Sequence, residues 1–234
     1  KSSQLYVPRF DDEQNSSFVV DSWYKKSFWL YLLYPFSLIV SYITARRRRK
    51  YLKGASETHK SEVPVIVVGN LTIGGTGKTP LVKYIASELL SLGYKPGLVS
   101  RGYGGKFKET LLVSDKTPVK QTGDEAQILA TLNLPFYIDK SRVRAVKAIT
   151  DNHDCDIIIS DDGLQHYKMN RDIEIVVIDG KRRFGNNLTF PAGPLRESKA
   201  RLNSVDFIVN NSGPTDEGEY LMNVSPSRFV HLKS

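Results

Sequence analysis

A glycine-rich stretch, Ile73 to Thr79 with the sequence IGGTGKT, constrains the fold of this 234-residue chain most strongly. It follows an apolar run at residues 63–68, which is typical of a buried strand, and precedes a helix-like run at residues 80–92. A strand, a glycine-rich turn and a helix form the context of a phosphate-binding loop. Glycines let backbone N–H groups approach phosphate oxygens, and the start of the helix adds free N–H groups and a positive dipole.

This loop predicts a binding site for a nucleoside triphosphate and Mg²⁺. We expect Lys78 to reach the β- and γ-phosphates and the Thr79 hydroxyl to hold the metal ion. The strict motif has a further glycine where this chain has Thr72, so the loop is a variant, and a plain glycine-rich turn is the alternative. The predicted nucleotide-binding residues are Thr72, Gly74, Gly75, Thr76, Gly77, Lys78 and Thr79.

Strand-like and helix-like segments alternate downstream of the loop. Short runs rich in Val, Ile or Leu lie at residues 65–68, 97–100, 111–113, 136–138, 156–160, 173–178 and 205–209, and helical patterns lie at 80–92, 124–132 and 141–150. This alternation predicts an α/β fold: a P-loop NTPase-like, mainly parallel sheet with helices on both faces. Ligands of such sheets bind at the carboxyl ends of the strands, where the candidate residues of this chain fall.

The segment before residue 63 has a different character. Residues 28–43 carry no charged side chain and would form a helix about 24 Å long, against roughly 30 Å of bilayer hydrocarbon. Pro35 would kink or split this helix, and a basic block at residues 46–50 follows it. We interpret residues 23–50 as a membrane-anchoring helix with a basic flank against anionic lipid headgroups; a buried core helix is the alternative.

The domain boundaries follow from these patterns. We expect a polar tail at residues 1–22, the membrane helix and its basic flank at 23–50, a polar linker at 51–62 and the soluble domain at 63–234. The net charge of +8 lies largely in the basic block, and no aromatic interleaving or known module supports nucleic acid as a partner. The single cysteine, Cys155, permits no internal disulfide bond and fits a reducing compartment.

Two adjacent carboxylates end one of the predicted strands. Asp161 and Asp162 follow the apolar residues 157–159, as in a strand that holds Mg²⁺ opposite a phosphate loop. Mg²⁺ takes only one or two protein carboxylates, so one aspartate would bind the metal ion and the other would position it. His166 is either a structural residue or a proton carrier and substrate contact. The four histidines lack the spacing of a zinc site.

Further charged residues are candidates for the same cleft. Asp124 opens a predicted helix, where a carboxylate either caps the helix or takes a proton from an acceptor hydroxyl as a general base. Arg101 and Tyr103 lie in the loop that ends another strand. Arginines at positions 142, 144 and 196 and the basic run at 181–183 supply cations, which phosphoryl transfer needs, although most surface arginines are only solvated.

Six motifs in this order resemble the tetraacyldisaccharide 4′-kinases, the lipid A 4′-kinases of Gram-negative bacteria. They are GNLTIGGTGKTP at 69–80, SRGYGG at 100–105, GDE at 123–125, DDGLQHY at 161–167, VVIDGKRRFGN at 176–186 and PAGPLRE at 191–197. The resemblance extends from about Trp23 to the end of the sequence. It implies an ATP- and Mg²⁺-dependent kinase on the cytoplasmic face of the inner membrane, which phosphorylates the 4′-hydroxyl of a tetraacylated glucosamine disaccharide 1-phosphate in lipid A biosynthesis.

The resemblance also implies roles for individual residues. The implied catalytic residues are Asp124, as the general base, with Lys78 and Arg144. The implied metal-binding residues are Thr79, Asp161, Asp162 and Glu197. The residues implied to contact the lipid substrate are Arg101, Tyr103, Gln165, His166 and Arg196.

The sequence departs from the family pattern on its C-terminal side. The family continues beyond the equivalent of Leu232 into a glycine-rich turn and an Asp-His-His-type motif, whose histidine partners the catalytic aspartate; His231 is not its equivalent. We therefore expect these 234 residues to bind ATP by themselves and to transfer phosphate poorly. Two rivals are a partition- or chaperone-type P-loop ATPase, which would lack DDGLQHY, and a nucleotide-binding membrane module without turnover.

Overall fold

An eight-stranded sheet forms the centre of the molecule in a computed structural model that describes residues 18–25 and 27–224. The strands are β1 Val65–Gly69, β2 Pro96–Ser100, β3 Leu111–Leu112, β4 Phe136–Ile138, β5 Ile157–Asp161, β6 Ile173–Asp179, β7 Phe207–Asn211 and β8 Glu219–Met222. Their order is β3-β4-β2-β5-β1-β6-β7-β8. All neighbours pair in parallel except β3, which is antiparallel to β4. The predicted mainly parallel sheet is therefore confirmed.

Helices cover both faces of the sheet. The α-helices are α1 Phe18–Tyr24, α2 Tyr34–Leu52, α3 Lys78–Ser91, α4 Val119–Thr122, α5 Asp124–Ala130 and α6 Arg142–Asn152, and 3₁₀ helices lie at Phe28–Leu33 and Lys199–Ser204. One apolar core lies on the side of α3 and α5 and includes Val82, Leu129 and Ile159; the other lies on the side of α6 and includes Val67, Val146 and Ile158. Burial on both faces explains why the central strands are continuous runs of Val and Ile.

The parallel register brings the motifs to one edge of the sheet. Val68 of β1 is paired with Asp161 of β5, so the glycine-rich loop and the two aspartates leave the sheet side by side. β2 and β4 also end on this edge, at Ser100 and Ile138. The expected gathering of candidate residues at the carboxyl ends of the strands is observed.

The N-terminal segment packs on the domain surface and leaves much of its apolar side uncovered. Phe28 is 85% exposed and Leu32 is 77% exposed. Near Pro35, where a kink or split was predicted, the chain changes from 3₁₀ to α-helical geometry: the 3₁₀ helix ends at Leu33, and Pro35 occupies the first turn of α2. The stretch Phe28–Leu52 is long and apolar enough to cross a membrane by length and composition. The alternative of a buried core helix does not fit these exposures.

Helix α2 is attached to the domain at both ends. The buried Ser37 hydroxyl donates to the Thr189 carbonyl over 2.7 Å and accepts from the Ala192 N–H over 2.9 Å. Near the other end, Arg48 donates to the Ser204 hydroxyl over 2.7 Å, and the ring centroids of Tyr51 and Tyr167 lie 6.0 Å apart. These contacts place α2 along the domain surface.

Several boundaries differ from the sequence expectations. Helix α1 begins at Phe18, inside the segment expected to be a polar tail, because Trp23 is buried and its indole N–H donates to the Pro191 carbonyl over 3.1 Å. The expected linker contacts the domain at His59, whose backbone N–H donates to the Lys168 carbonyl over 2.7 Å. The short elements α4 and β8 were not predicted. His231 and the rest of 225–234 lie outside the described residues.

Candidate active site

Two glycines of the loop adopt backbone conformations that favour glycine. Gly74 has a φ of 105°, and Gly77 has a φ of 90° immediately before α3 begins at Lys78. A side chain at Gly77 would also collide with the Asn211 side chain. The helix therefore starts two residues earlier than the predicted Pro80, and the Gly77-Lys78-Thr79 segment lies at its N-terminus.

Side chains from outside the glycine-rich stretch at residues 73–79 hold the carbonyl groups of this loop. The amide of Asn70 donates to the Gly74 carbonyl over 3.2 Å, and the amide of Asn211 donates to the Thr76 carbonyl over 3.2 Å. The Arg182 guanidinium donates to the Gly75 carbonyl and is itself held by Asp179. A planar trans peptide points its N–H opposite to its carbonyl. The N–H groups of residues 75, 76 and 77 therefore point away from these partners, as phosphate binding requires.

The Lys78 ammonium lies against the second aspartate of the DDGLQHY motif. Its Nζ is 3.6 Å from Asp162 Oδ1, and the Lys78 side chain is only 8% exposed. Arg196 contacts the same carboxylate from the other side, with Nη1 2.9 Å from Oδ1 and 3.2 Å from Oδ2. Burial by itself raises the pKa of Asp162, but Lys78 and Arg196 outweigh burial and hold that pKa below its ordinary value. The structure thus brings a lysine, an arginine and a carboxylate together beside the loop.

The first aspartate of the pair has a contrasting environment. Asp161 is 2% exposed, and its Oδ1 has no hydrogen-bond partner among the described residues. Burial raises the pKa of Asp161 to about 7, repulsion from Asp162 and Glu125 adds to the rise, and Lys78 opposes it. A buried carboxylate oxygen without a partner is a suitable ligand for a hard cation.

A buried arginine fixes the backbone that carries both aspartates. The guanidinium of Arg142, which is 2% exposed, donates to the carbonyls of Asp161 and Asp162 over 3.2 and 3.1 Å and to the Asp139 carbonyl over 3.0 Å. Burial lowers the pKa of Arg142 to about 10, so it remains a cation at neutral pH. Arg142 therefore ties the end of β5 to the end of β4.

The predicted catalytic Arg144 is engaged with a neighbouring carboxylate. Its Nε and Nη2 donate to the two oxygens of Asp139 over 2.9 and 2.7 Å, while 63% of the Arg144 side chain is exposed. Burial of Asp139 raises its pKa, but hydrogen bonds from Arg144, Thr110 and the Ser141 N–H outweigh burial and lower it overall. Arg144 is thus paired with Asp139 while most of its side chain stays exposed.

The SRGYGG loop packs against the segment that precedes Asp124. A side chain at Gly123 would collide with the Tyr103 carbonyl, and one at Gly105 would collide with the Gln121 carbonyl. Tyr103 is 81% exposed, and Arg101 is exposed and lowers the pKa of Arg142 by repulsion. Asp124 is the first residue of α5 and is exposed; Gly123 occupies the capping position. Among the described residues no side-chain hydrogen bond caps this helix, so the capping alternative for Asp124 is not supported, and its role as a base stays a prediction.

Comparison with known proteins identifies the relatives of this site. A sequence model described as tetraacyldisaccharide-1-P 4′-kinase matches residues 29–233. The chain belongs to this kinase family. It is 48% identical over 205 residues to the tetraacyldisaccharide 4′-kinase of Vibrio campbellii and 51% identical over 193 residues to that of Psychromonas ingrahamii. These alignments cover 87% and 82% of this chain, but 61% and 60% of the two relatives.

A solved structure of the family agrees with the fold. The crystal structure described as the "apo" form of LpxK from Aquifex aeolicus in complex with ATP is 32% identical, with a TM-score of 0.74. The match covers 83% of this chain and 64% of that chain. The chain therefore has the α/β fold of this family but spans about three fifths of the length of the relatives that it matches.

Two predicted substrate residues of the family motif DDGLQHY have contrasting environments. The Gln165 amide donates to the Asn70 carbonyl over 3.2 Å and accepts from Arg196 over 3.4 Å, so Gln165 braces the nucleotide loop. His166 Nε2 is buried without a hydrogen-bond partner among the described residues. Burial, together with repulsion from Arg142 and Arg171, lowers the pKa of His166 to about 4. His166 is therefore neutral at pH 7 and is a weak base.

Glu197, predicted to bind metal, is engaged by other side chains. Its carboxylate accepts a hydrogen bond from the Tyr167 hydroxyl over 2.6 Å and lies 3.8 Å from Arg201 Nε. The neighbouring Arg196 contacts Asp162, so the two adjacent side chains contact different clusters. The role of Glu197 in metal binding stays a prediction. Across the described residues, no group of three His, Cys, Asp or Glu side chains forms a metal centre, and Mg²⁺ needs no such group.

Sequence reasoning missed two residues of this site and gave two others a different role. Asn211 reaches the loop from the end of β7, and Asp139 accepts hydrogen bonds on the opposite side; neither was predicted. Arg142 and Arg182 were predicted as cations for phosphoryl transfer, whereas the structure shows them donating to backbone carbonyls. These contacts join distant segments, so no local pattern indicates them.

Proposed function

We propose that this chain forms the nucleotide-binding part of an ATP-dependent kinase. The proposed reaction transfers the γ-phosphoryl group of ATP to the 4′-hydroxyl of a tetraacylated glucosamine disaccharide 1-phosphate, a step of lipid A biosynthesis. The observation that carries this proposal is the convergence of Lys78, Asp162 and Arg196 on the glycine-rich loop. Membership of the tetraacyldisaccharide-1-P 4′-kinase family supplies the substrate class.

The loop and its cations would hold the phosphates. The N–H groups of residues 75–77 point away from the side chains that hold the loop carbonyls, and the N-terminus of α3 adds a positive dipole. The Lys78 ammonium lies 3.6 Å from the Asp162 carboxylate. Incoming phosphate oxygens would compete with this carboxylate for the ammonium. Arg196 would keep Asp162 in place during this exchange. Lys78 is then free to stabilise the charge that develops on the transferred group.

The residues also fit Mg²⁺. Asp161 offers a buried carboxylate oxygen without a partner, and Thr79 lies on the first turn of α3. When bound there, Mg²⁺ would neutralise phosphate charge. Asp162 is already shared by Lys78 and Arg196, so we assign metal binding to Asp161 and Thr79 and a positioning role to Asp162.

The acceptor sugar would bind on the side of β2 and β4. Asp124 presents an exposed carboxylate that can take the proton of the hydroxyl as the bond to phosphorus forms. Arg101, Tyr103 and Arg144 surround this side with exposed polar groups suited to a phosphorylated disaccharide.

We also propose that the chain binds to the cytoplasmic face of the inner membrane. Ser37, in the middle of the apolar run, is hydrogen-bonded to residues 189 and 192 of the domain. Arg48 is attached about 17 Å further along the helix axis. If α2 spanned the bilayer, it would pull polar backbone of the domain into the hydrocarbon. We therefore propose that α2 lies in the membrane–water interface, with its exposed apolar side in lipid and the basic block against anionic headgroups.

A transfer assay tests this proposal. The full-length protein is given [γ-³²P]ATP, Mg²⁺ and the acylated disaccharide 1-phosphate, and labelled lipid and free phosphate are counted separately. We expect label on the 4′-oxygen of the lipid. Label only in free phosphate would indicate an ATPase, and nucleotide binding without either product would indicate a binding module; either result overturns the proposal.

A further inference from the structure

A groove of about 850 Å³ lies between the N-terminal helices and the loop after β6. Volumes of this size are typical of small-molecule sites. Aromatic and aliphatic side chains dominate its walls, from Trp23, Tyr24, Phe28, Leu30, Tyr31 and Leu188. Asn186 also lines the groove, and its amide donates to the Ala192 carbonyl and accepts from the Leu188 N–H. The polar atoms of this residue therefore need no ligand. The groove therefore suits an apolar chain.

The groove is continuous with the surface that we assign to the membrane. Phe28 and Tyr31 line it, and both belong to the exposed apolar side of the N-terminal segment, at 85% and 69% exposure. Once that segment is seated in the interface, the groove opens to lipid, where acyl chains are the most abundant apolar molecules.

Two basic side chains lie on or beside the groove wall. Lys25 lines it and is exposed. The Arg182 guanidinium carbon lies 5.9 Å from the ring centroid of Tyr24, which is also a lining residue. A molecule with an apolar chain and an anionic head would match both the apolar walls and these cations.

We propose that the groove binds one acyl chain of an anionic membrane phospholipid, with its phosphate beside Lys25 and Arg182. This rests on the proposed membrane seat of the chain. The acceptor residues Arg101 and Asp124 lie on the side of β2 and β4, whereas the groove follows β6, on the other flank of the loop after β1. The topology therefore favours a structural lipid over an acyl chain of the reacting substrate.

A matched pair of charge substitutions tests the groove. Leu188→Asp puts a carboxylate into the groove, and Leu32→Asp puts one on the same apolar surface outside it. Each full-length variant is purified in detergent, the bound phosphatidylglycerol is measured by native mass spectrometry, and sedimentation with phosphatidylglycerol vesicles is measured in parallel. We expect Leu188→Asp to lose at least 5-fold in bound phospholipid while it still sediments, and Leu32→Asp to keep its phospholipid while it sediments less. Equal amounts of bound phospholipid in wild type and Leu188→Asp, or none in wild type, would contradict phospholipid binding in the groove. Neither result would contradict the proposed binding of the chain to the membrane.

Photolabelling keeps the proposal testable if Leu188→Asp misfolds. Wild-type protein is irradiated with phosphatidylglycerol that carries a diazirine in its acyl chain, and the labelled residues are mapped. We expect label within residues 23–31 and 185–188, which excess acylated disaccharide does not displace. Label confined to residues 36–43, or label displaced by the acylated disaccharide, contradicts a phospholipid in the groove. Absence of vesicle binding by wild type would instead overturn the proposed membrane seat.

Discussion

The proposed nucleotide side and the proposed acceptor side of the site are built differently. On the nucleotide side, Lys78, Thr79 and Asp161 are each less than a tenth exposed, and three side chains from outside residues 73–79 hold the loop carbonyls. On the acceptor side, Tyr103 and Asp124 are exposed. The difference teaches that the proposed phosphate site is organised in advance by contacts within the chain, whereas the proposed acceptor side offers exposed groups that a substrate would organise.

Replacing the loop lysine should have the largest effect. In Lys78→Ala the cation for the transferred phosphoryl group is lost, and we expect kcat to fall about 10³-fold or more. Asp162 keeps its contact with Arg196, so the fold should survive. Transfer assays on protein with an unchanged thermal transition measure this. Near-normal turnover would remove the phosphate-loop assignment and the contrast built on it.

A substitution on the acceptor side should affect chemistry without affecting nucleotide binding. We expect Asp124→Asn to lower kcat about 10²–10⁴-fold, as for loss of a general base, with little change in ATP affinity. Glu125→Gln, one residue further along α5, is the matched control for a lost carboxylate. A pH–rate series with parallel ATP-binding measurements decides the role. If Asp124→Asn unfolds the domain or weakens ATP binding at unchanged kcat, Asp124 is structural, and the base lies elsewhere.

Loosening one support of the loop should weaken nucleotide binding moderately. Asn211→Ala removes the donor to the Thr76 carbonyl, and we expect about 5-fold weaker ATP binding, the equivalent of one hydrogen bond of ~1 kcal/mol. Asn152→Ala makes the same change in α6, where the amide donates to the Ala148 carbonyl of its own helix. Calorimetric titration of both variants separates the two. Equal ATP affinity in wild type and Asn211→Ala would show that the loop is not held in this way.

The smallest expected effect concerns stability in acid. The folded-state pKa of His166 is about 4, below its ordinary value of 6.5, because of burial and nearby arginines. As the pH falls, His166 therefore binds a proton in the unfolded chain before it does so in the folded chain. The contribution of the neutral His166 to the free energy of unfolding is complete above pH 6.5 and is lost as the pH falls towards 4. We expect His166→Asn to flatten the fall in Tm over this window, with His153→Asn as the control for loss of an imidazole. An unchanged pH dependence in His166→Asn would contradict the buried neutral state.

Local patterns predicted the sheet well and the supports of the site poorly. The predicted strands at 65–68, 97–100 and 136–138 agree with β1, β2 and β4 to within one residue, because buried runs of Val and Ile between helices have a clear pattern. Helix α1 was not predicted as a separate element, because its seven residues carry little periodicity and its contact with Pro191 lies far along the chain; Trp23 was instead placed at the start of the membrane helix.

The chemistry of the site was predicted where it is contiguous in sequence. The loop and the aspartate pair were found because each is a short motif that follows a strand, and their proximity follows from the pairing of β1 with β5. The contacts of Glu197 could not be predicted, because adjacent residues can contact different clusters, and only the structure separates its contact with Tyr167 from that of Arg196 with Asp162. Asn211 was missed because no local pattern connects it with the loop.

Hydrogen–deuterium exchange tests the contrast between the two sides most directly. Exchange of the amides in residues 72–79, 101–105 and 122–125 is followed in the full-length protein alone, with a non-hydrolysable ATP analogue, and with the acylated disaccharide. We expect the amides of residues 75–77, whose N–H groups are free to bind phosphate, to gain protection from the nucleotide analogue alone, while residues 101–105 and 122–125 gain protection only with the disaccharide. Failure of the nucleotide analogue to protect residues 75–77, or protection of 101–105 and 122–125 by the nucleotide analogue alone, would contradict the account.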